Sequence, residues 1–164
     1  MMNTHMVLET PFVVDAETLE FYLENASQNP ITAAIDAAIS SKELLVTFAS
    51  MVQLKENCPL VFDKLIAADL KAVRRNDLIE PTRTMLEEVK ATGQAVSVPL
   101  HTKIYALALA KNKGCYVLTV DCRPTTTSTS SLASVFGVDI ICVGSSPMAN
   151  THEPKLKLKL KVLP

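Results

Sequence analysis

Two aspartates in this chain each close a short apolar run. Asp15 ends Pro11-Phe12-Val13-Val14-Asp15, and Asp121 follows Tyr116-Val117-Leu118-Thr119-Val120. Such runs read as buried strands, so both carboxylates are expected at strand carboxyl ends. In open α/β sheets ligands gather at that end, near the point where strand order reverses. A blander role is also open, since an Asp at a strand-to-helix turn commonly caps the helix that follows. Arg123, two residues past Asp121, reads as solvated, with contact to an RNA phosphate as the functional alternative. The Thr/Ser tract over 125–131 lies beside them and reads as a disordered loop; its hydroxyls could otherwise contact phosphate.

The elements that must position these acids alternate along the chain. A strand over 11–15 leads into a helix over 16–25, where Leu19, Tyr22 and Leu23 share one face. Pro30 opens a second helix running through residue 39. A strand over 43–48 and a short helix over 49–57 follow. Helices over 60–73 and 80–91 flank a polar turn at 74–77, and a weak strand is expected over 95–98. An apolar helix over 101–113 stops at Gly114. The strand over 116–120 delivers Asp121. Residues 132–136, Gly137 and a strand over 138–143 complete the core.

Connections too long for hairpins between successive strands predict a three-layer α/β/α fold with a parallel sheet of about five strands. Residues 11–146 form the domain, 1–10 an N-terminal tail, and 147–164 a C-terminal linker and strand. Within that end, the Lys/Leu alternation over 155–162 resolves into one apolar and one basic face only as a strand. Its roles remain open between an edge strand guarded by lysines, a strand pairing with a second subunit, and a phosphate-contacting strip.

Composition narrows the function classes. The chain has 164 residues, 48% hydrophobic and 20% charged, within the range of one soluble globular domain. A net charge of −1 argues against a protein that grips nucleic acid with its whole surface, though not against a local basic patch. Cys58, Cys115, Cys122 and Cys142 lack metal-ligand spacing and read as free thiols in a reducing cytoplasm. The start of the chain lacks the plan of a signal peptide, and no apolar run is long enough to span a membrane.

The ordered segments resemble a known family. FVVDAETLEFYL resembles the opening of a PIN domain (the VapC-like family), where a strand ends in an acid that helps hold Mg²⁺ or Mn²⁺. HTKIYALALAKNKGCYVLTVDCR resembles its second half, an Ala-rich helix and a Gly before a strand ending T-x-D, here Thr119-Val120-Asp121. SLASVFGVDIICV resembles the last helix-Gly-strand unit, and the likeness spans residues 11–144. In active members, three or four carboxylates hold the metal, which generates a hydroxide-like nucleophile and offsets charge on the scissile phosphate.

The resemblance implies that Asp15 and Asp121 are metal ligands and catalytic acids. It also exposes departures. The second acid is replaced by Gln53, with Glu56 one turn on as the substitute. The third should begin the Ala-rich helix, where His101-Thr102-Lys103 stands instead, and 91–120 contains no Asp or Glu. If Lys103 points inward, it neutralises Asp15 or Asp121 without metal; if outward, Thr102 or His101 lines the pocket. Thr119, Lys103, Arg123 and Thr102 are expected on the substrate side.

The resulting expectation is a PIN-like domain with a degenerate site, a non-catalytic or altered RNA- or protein-binding module of toxin–antitoxin type. Its partners would be RNA or an antitoxin-like protein, and it would be a cytoplasmic homodimer. One alternative is a working Mg²⁺- or Mn²⁺-dependent ribonuclease using Asp15, Glu56 and Asp121, with Glu17 assisting. Another rests on Asp15-Ala16-Glu17-Thr18-Leu19, which is similar to the first motif of haloacid-dehalogenase-like phosphatases, with Thr47 as the phosphate-binding hydroxyl. The lid insertions of that family are missing.

Overall fold

Phe12 and Val14 pack to one side of their strand and Val13 to the other, and all three are fully buried. A strand covered on both faces needs helices above and below it. The computed structural model describes residues 3–24, 30–143 and 158–163, and its elements supply that cover. They run β1 (Asn3–Leu8), β2 (Phe12–Val14), α1 (Ala16–Glu24), α2 (Pro30–Ser40), β3 (Leu44–Leu45), α3 (Phe48–Asn57) and α4 (Pro59–Ala67). After a 3₁₀ turn (Arg75–Leu78) come α5 (Ile79–Ala91), α6 (Val98–Lys113), β4 (Val117–Thr119), α7 (Thr129–Phe136), β5 (Ile140–Cys142) and β6 (Leu158–Leu163).

Four strands form an all-parallel sheet in the order β3-β2-β4-β5. One face carries α1 to α4, with Leu19, Ile35, Leu54 and Leu65 against Phe12, Val14 and Leu118. The other carries α5 to α7, with Met85, Ile104, Leu107 and Leu132 against Val13 and Val117. The three-layer α/β/α expectation therefore holds. Phe12 and Tyr116 stack across β2 and β4 with centroids 5.5 Å apart. α6 is buried almost all round from Ile104 to Ala110, as its uniformly apolar sequence requires.

The sheet has four strands where about five were expected, and local chemistry explains why. Residues 95–97, expected with Val98 as a strand, have no regular structure, and Val98 starts α6 earlier than expected: Ser97 Oγ accepts the N–H of Leu100, and Pro99 occupies the first turn. The alternation AVSV carried a strand pattern, but Ser-x-Pro is a helix start. Likewise Thr47 caps α3 by accepting from Ser50 N–H, which trims the 43–48 strand to Leu44–Leu45. The helix expected over 60–73 ends at Ala67, and Asp69 turns the chain with φ 57°. That frees Val73 to form a single parallel bridge with Thr47 outside β3.

The ends differ from expectation too. Residues 3–8 are a strand and not a tail, and the Lys/Leu segment is a strand over Leu158–Leu163. The two pair antiparallel in one ladder, from Asn3 opposite Leu163 to Leu8 opposite Leu158, so β6 finds its partner within the chain. Residues 144–157, which hold the end of the expected domain, the expected linker and the start of the Lys/Leu alternation, lie outside the described residues. Among the described residues no helix is long and apolar enough to cross a membrane.

The chain leaves β2 for β3 on one side, then returns through four helices to β4 on the other side of β2. Strand order thus reverses between β2 and β4. The residues just beyond the carboxyl ends of those two strands are Asp15 and, two positions past β4, Asp121.

Candidate functional site

Asp15 is the residue before α1, and its side chain caps that helix: Oδ1 accepts the N–H of Thr18 at 3.0 Å and also the Thr18 hydroxyl. Its other oxygen, Oδ2, accepts from Thr119 Oγ1 at 2.7 Å. The Thr119 hydroxyl in turn accepts the N–H of Asp121 at 3.0 Å, so one buried hydroxyl clips both strand ends together. Thr18 makes a parallel clip, accepting the N–H of Val120 at 3.0 Å. The capping role and the pocket role of Asp15 are therefore one geometry.

Asp121 is held differently. Its side chain is fully buried, and Lys103 reaches from α6 to put Nζ 2.6 Å from Oδ2. Arg123 brackets the other oxygen, with Nε at 2.9 Å and Nη2 at 2.8 Å from Oδ1. Oδ2 also takes the first N–H of α7, from Thr129 at 3.0 Å, where the helix dipole favours an anion. The Thr129 hydroxyl lies 3.3 Å from Asp121 Oδ2 and 3.4 Å from Asp15 Oδ2, linking the two acids directly. Lys103 spends a further proton on the carbonyl of Thr127 at 3.2 Å.

These surroundings drive the two acids apart. Burial pushes the Asp15 carboxyl above its ordinary range, with hydroxyl and N–H donors only partly offsetting it and the Asp121 charge adding to the rise. Burial acts the same way on Asp121, but Lys103, Arg123 and the Thr129 N–H outweigh it and hold that carboxyl below its ordinary range. Glu17, half-buried at the mouth, is raised by burial and then by Asp121 and Asp15, against Arg123 and Lys103. Its Oε2 is 3.9 Å from Arg123 Nη2. Arg123 is raised by its bond to Asp121.

Five of the expected residues, Asp15, Asp121, Thr119, Lys103 and Arg123, come together, though Thr119 serves as a buried link and not as a surface contact. Glu56 does not join them: it is exposed on α3, whose inward face is Ser50, Met51 and Leu54. Thr102 turns away as well. It donates to the carbonyl of Val98 and lines a separate cavity of about 220 Å³ with Thr47, Phe48, Val52 and Tyr105. Thr47, offered as a phosphate-binding hydroxyl, is a helix cap.

Sequence reasoning missed Thr18 and Thr129. Thr18 had a partial signal, its place three residues after a cap-type Asp, where the cap oxygen meets a backbone N–H. Thr129 lay inside the tract read as a disordered loop, yet Ser128 caps α7 through the N–H of Ser131 and both Ser128 and Thr129 are fully buried. The cysteine reading also needs correction. Cys122 and Cys142 are joined by a disulfide with Cα atoms 6.1 Å apart, while Cys58 and Cys115 are free.

A divalent cation does not fit this arrangement. Mg²⁺ and Mn²⁺ need several oxygen lone pairs converging on one point. Both oxygens of Asp121 face cationic nitrogen, and both oxygens of Asp15 face hydroxyl or N–H donors. Among the described residues no three His, Cys, Asp or Glu side chains converge as a metal-binding group. What the site can do is balance charge internally and present Arg123, whose side chain is 61% exposed, to solvent. No model of a known protein family matches the chain, and no curated protein matches it either.

Proposed function

We propose that this chain is a PIN-like domain in which Lys103 and Arg123 have replaced a divalent metal as the charge partner of the strand-end acids. On this reading it is a non-catalytic module that binds RNA or an antitoxin-like protein, as a decayed or repurposed toxin of a toxin–antitoxin pair would. It would act as a cytoplasmic homodimer. The Lys103–Asp121 ion pair at 2.6 Å carries the proposal, because it occupies one acid with a fixed cation in a crevice at the switch point. An ammonium there cannot generate a hydroxide nucleophile as a bound metal does.

Calorimetric titration with Mn²⁺ and Mg²⁺ tests the reading, run beside RNA cleavage by the intact chain and by Asp15→Asn. No saturable metal uptake and no Asp15-dependent cleavage are expected. Saturable uptake with cleavage that disappears in Asp15→Asn would instead establish a working ribonuclease. RNA binding is measured separately by filter retention, comparing Arg123→Ala with the unaltered chain; a loss confined to the variant supports RNA as the ligand.

A further inference from the structure

Cys122 stands between Asp121 and Arg123, two of the residues in the ionic contacts of the site, and its sulfur is bonded to that of Cys142 at the end of β5. The bond closes a loop over a sequence separation of 20, which contains the Thr/Ser tract and α7. The other ties on 121–129 are weaker and individually reversible. They include Lys103 Nζ to Asp121 Oδ2 at 2.6 Å and to the Thr127 carbonyl at 3.2 Å, Asp121 N–H to Thr119 Oγ1 at 3.0 Å, Thr129 Oγ1 to Asp15 Oδ2 at 3.4 Å, and, within the segment, Thr129 N–H to Asp121 Oδ2 at 3.0 Å.

We propose that Cys122–Cys142 is a redox modification site, reduced by a dithiol, whose state sets how firmly the 121–129 segment holds Asp121 and Arg123 in place. Oxidised, the bond pins Cys122 to the sheet, so Asp121 stays turned inward to Lys103 and Arg123 stays folded back on it. Reduced, the segment is anchored by hydrogen bonds and ion pairs alone and opens more often.

The exchange balances as a two-electron step. A thiolate of the dithiol attacks Cys122 Sγ, the Sγ–Sγ bond breaks, and the Cys142 thiolate leaves and takes a proton from water. The reductant's second thiolate then attacks its own sulfur in the mixed disulfide and expels the Cys122 thiolate, which is protonated in turn; the reductant ends as a disulfide. Both cysteine residues are largely buried, Cys122 at 9% exposure and Cys142 at 6%, so attack waits on local opening of the loop. In a thiol-rich compartment this makes the site's rigidity responsive to redox poise. The proposal does not depend on RNA binding, since its readouts are thiol count and amide exchange.

The free thiols Cys58 and Cys115 serve as internal references. The air-equilibrated intact chain, denatured without reductant and alkylated, should carry label at those two positions only. After dithiothreitol it should carry four labels. In the folded protein, reduction should speed hydrogen exchange about tenfold at the amides of Thr129 and Ser130, with Val117 and Leu118 unchanged. Cys142→Ala should exchange fast with or without dithiothreitol; if that variant does not fold, the comparison of oxidised with reduced unaltered protein decides alone. Labelling of all four cysteines without reductant, or identical Thr129 exchange in both states, overturns the proposal.

Discussion

Lys103 Nζ lies 2.6 Å from Asp121 Oδ2, while Asp15, linked to Asp121 through two threonine hydroxyls, makes no ion pair among the described residues. Two acids in one crevice are thus handled by different chemistry. Asp121 is stabilised as an anion by Lys103, Arg123 and the first amide of α7. Asp15 is desolvated and served only by neutral donors, so its ionised form is disfavoured. A site built to share one cation between two carboxylates would treat them alike; this one does not.

Thr119 should carry more of the stability than its size suggests. Its hydroxyl donates to Asp15 and accepts from the Asp121 amide, and both contacts are buried. Thr119→Val keeps the shape but strands a buried N–H and removes a donor to Asp15, at a cost of about 2 kcal/mol. Thr119→Ser keeps the hydroxyl and loses one methyl, about 1 kcal/mol. Urea denaturation of both variants checks this, and Ser destabilising as much as Val would mean the hydroxyl link contributes nothing.

The opposite shifts of the two acids make a pH prediction with a definite sign. Asp15 has a folded pKa raised above its ordinary 3.8, so its protonation contributes stability that is complete below that value and is lost as pH climbs through the folded pKa. Asp121, with a lowered pKa, contributes stability that is present above 3.8 and lost as pH falls through its folded pKa. Asp15→Asn removes only the first dependence. The stability of the unaltered chain minus that of Asp15→Asn should therefore shrink as pH rises from about 4 toward 7, measured by urea melts at several pH values. A difference that is flat, or that grows with pH, would show that Asp15 is not desolvated as described.

The strand-end acids were legible because a buried strand followed by Asp is a local pattern, and the layers were legible because strand and helix alternate. Boundaries failed where one residue type serves two elements. Ser97 and Thr47 look like strand residues by pattern but act as caps, and Val73 looks helical by spacing yet pairs with Thr47 across the chain. The inward course of Lys103 was left open because helix phase alone does not settle which side of α6 meets the 121–129 loop. The disulfide was missed for a related reason: Cys122 and Cys142 become neighbours only when β4 and β5 pair. Glu56 was misplaced because i+3 spacing from Gln53 was counted without knowing that α3 turns Ser50 and Leu54 inward.

The same ion pair yields the sharpest test of how the site relates to metal. Lys103→Glu puts a carboxylate beside Asp121, with Asp15 one hydroxyl away and the half-buried Glu17 at the mouth. Without metal, the variant gathers negative charge in a desolvated crevice and should lose about 3 kcal/mol, the scale for breaking a buried pair. Mn²⁺ could then offset that charge, and a ligand bound only by the folded state returns about 2.7 kcal/mol at a hundred times its Kd. Thermal melts in chelator and in millimolar Mn²⁺ should therefore separate for Lys103→Glu and coincide for the unaltered chain. Lys103→Met is the control, because it removes the ammonium without adding an acid and should show a smaller Mn²⁺ response. An unaltered chain stabilised by Mn²⁺ as strongly as Lys103→Glu would mean that Lys103 yields its place to metal, and the site would have to be read as a working one.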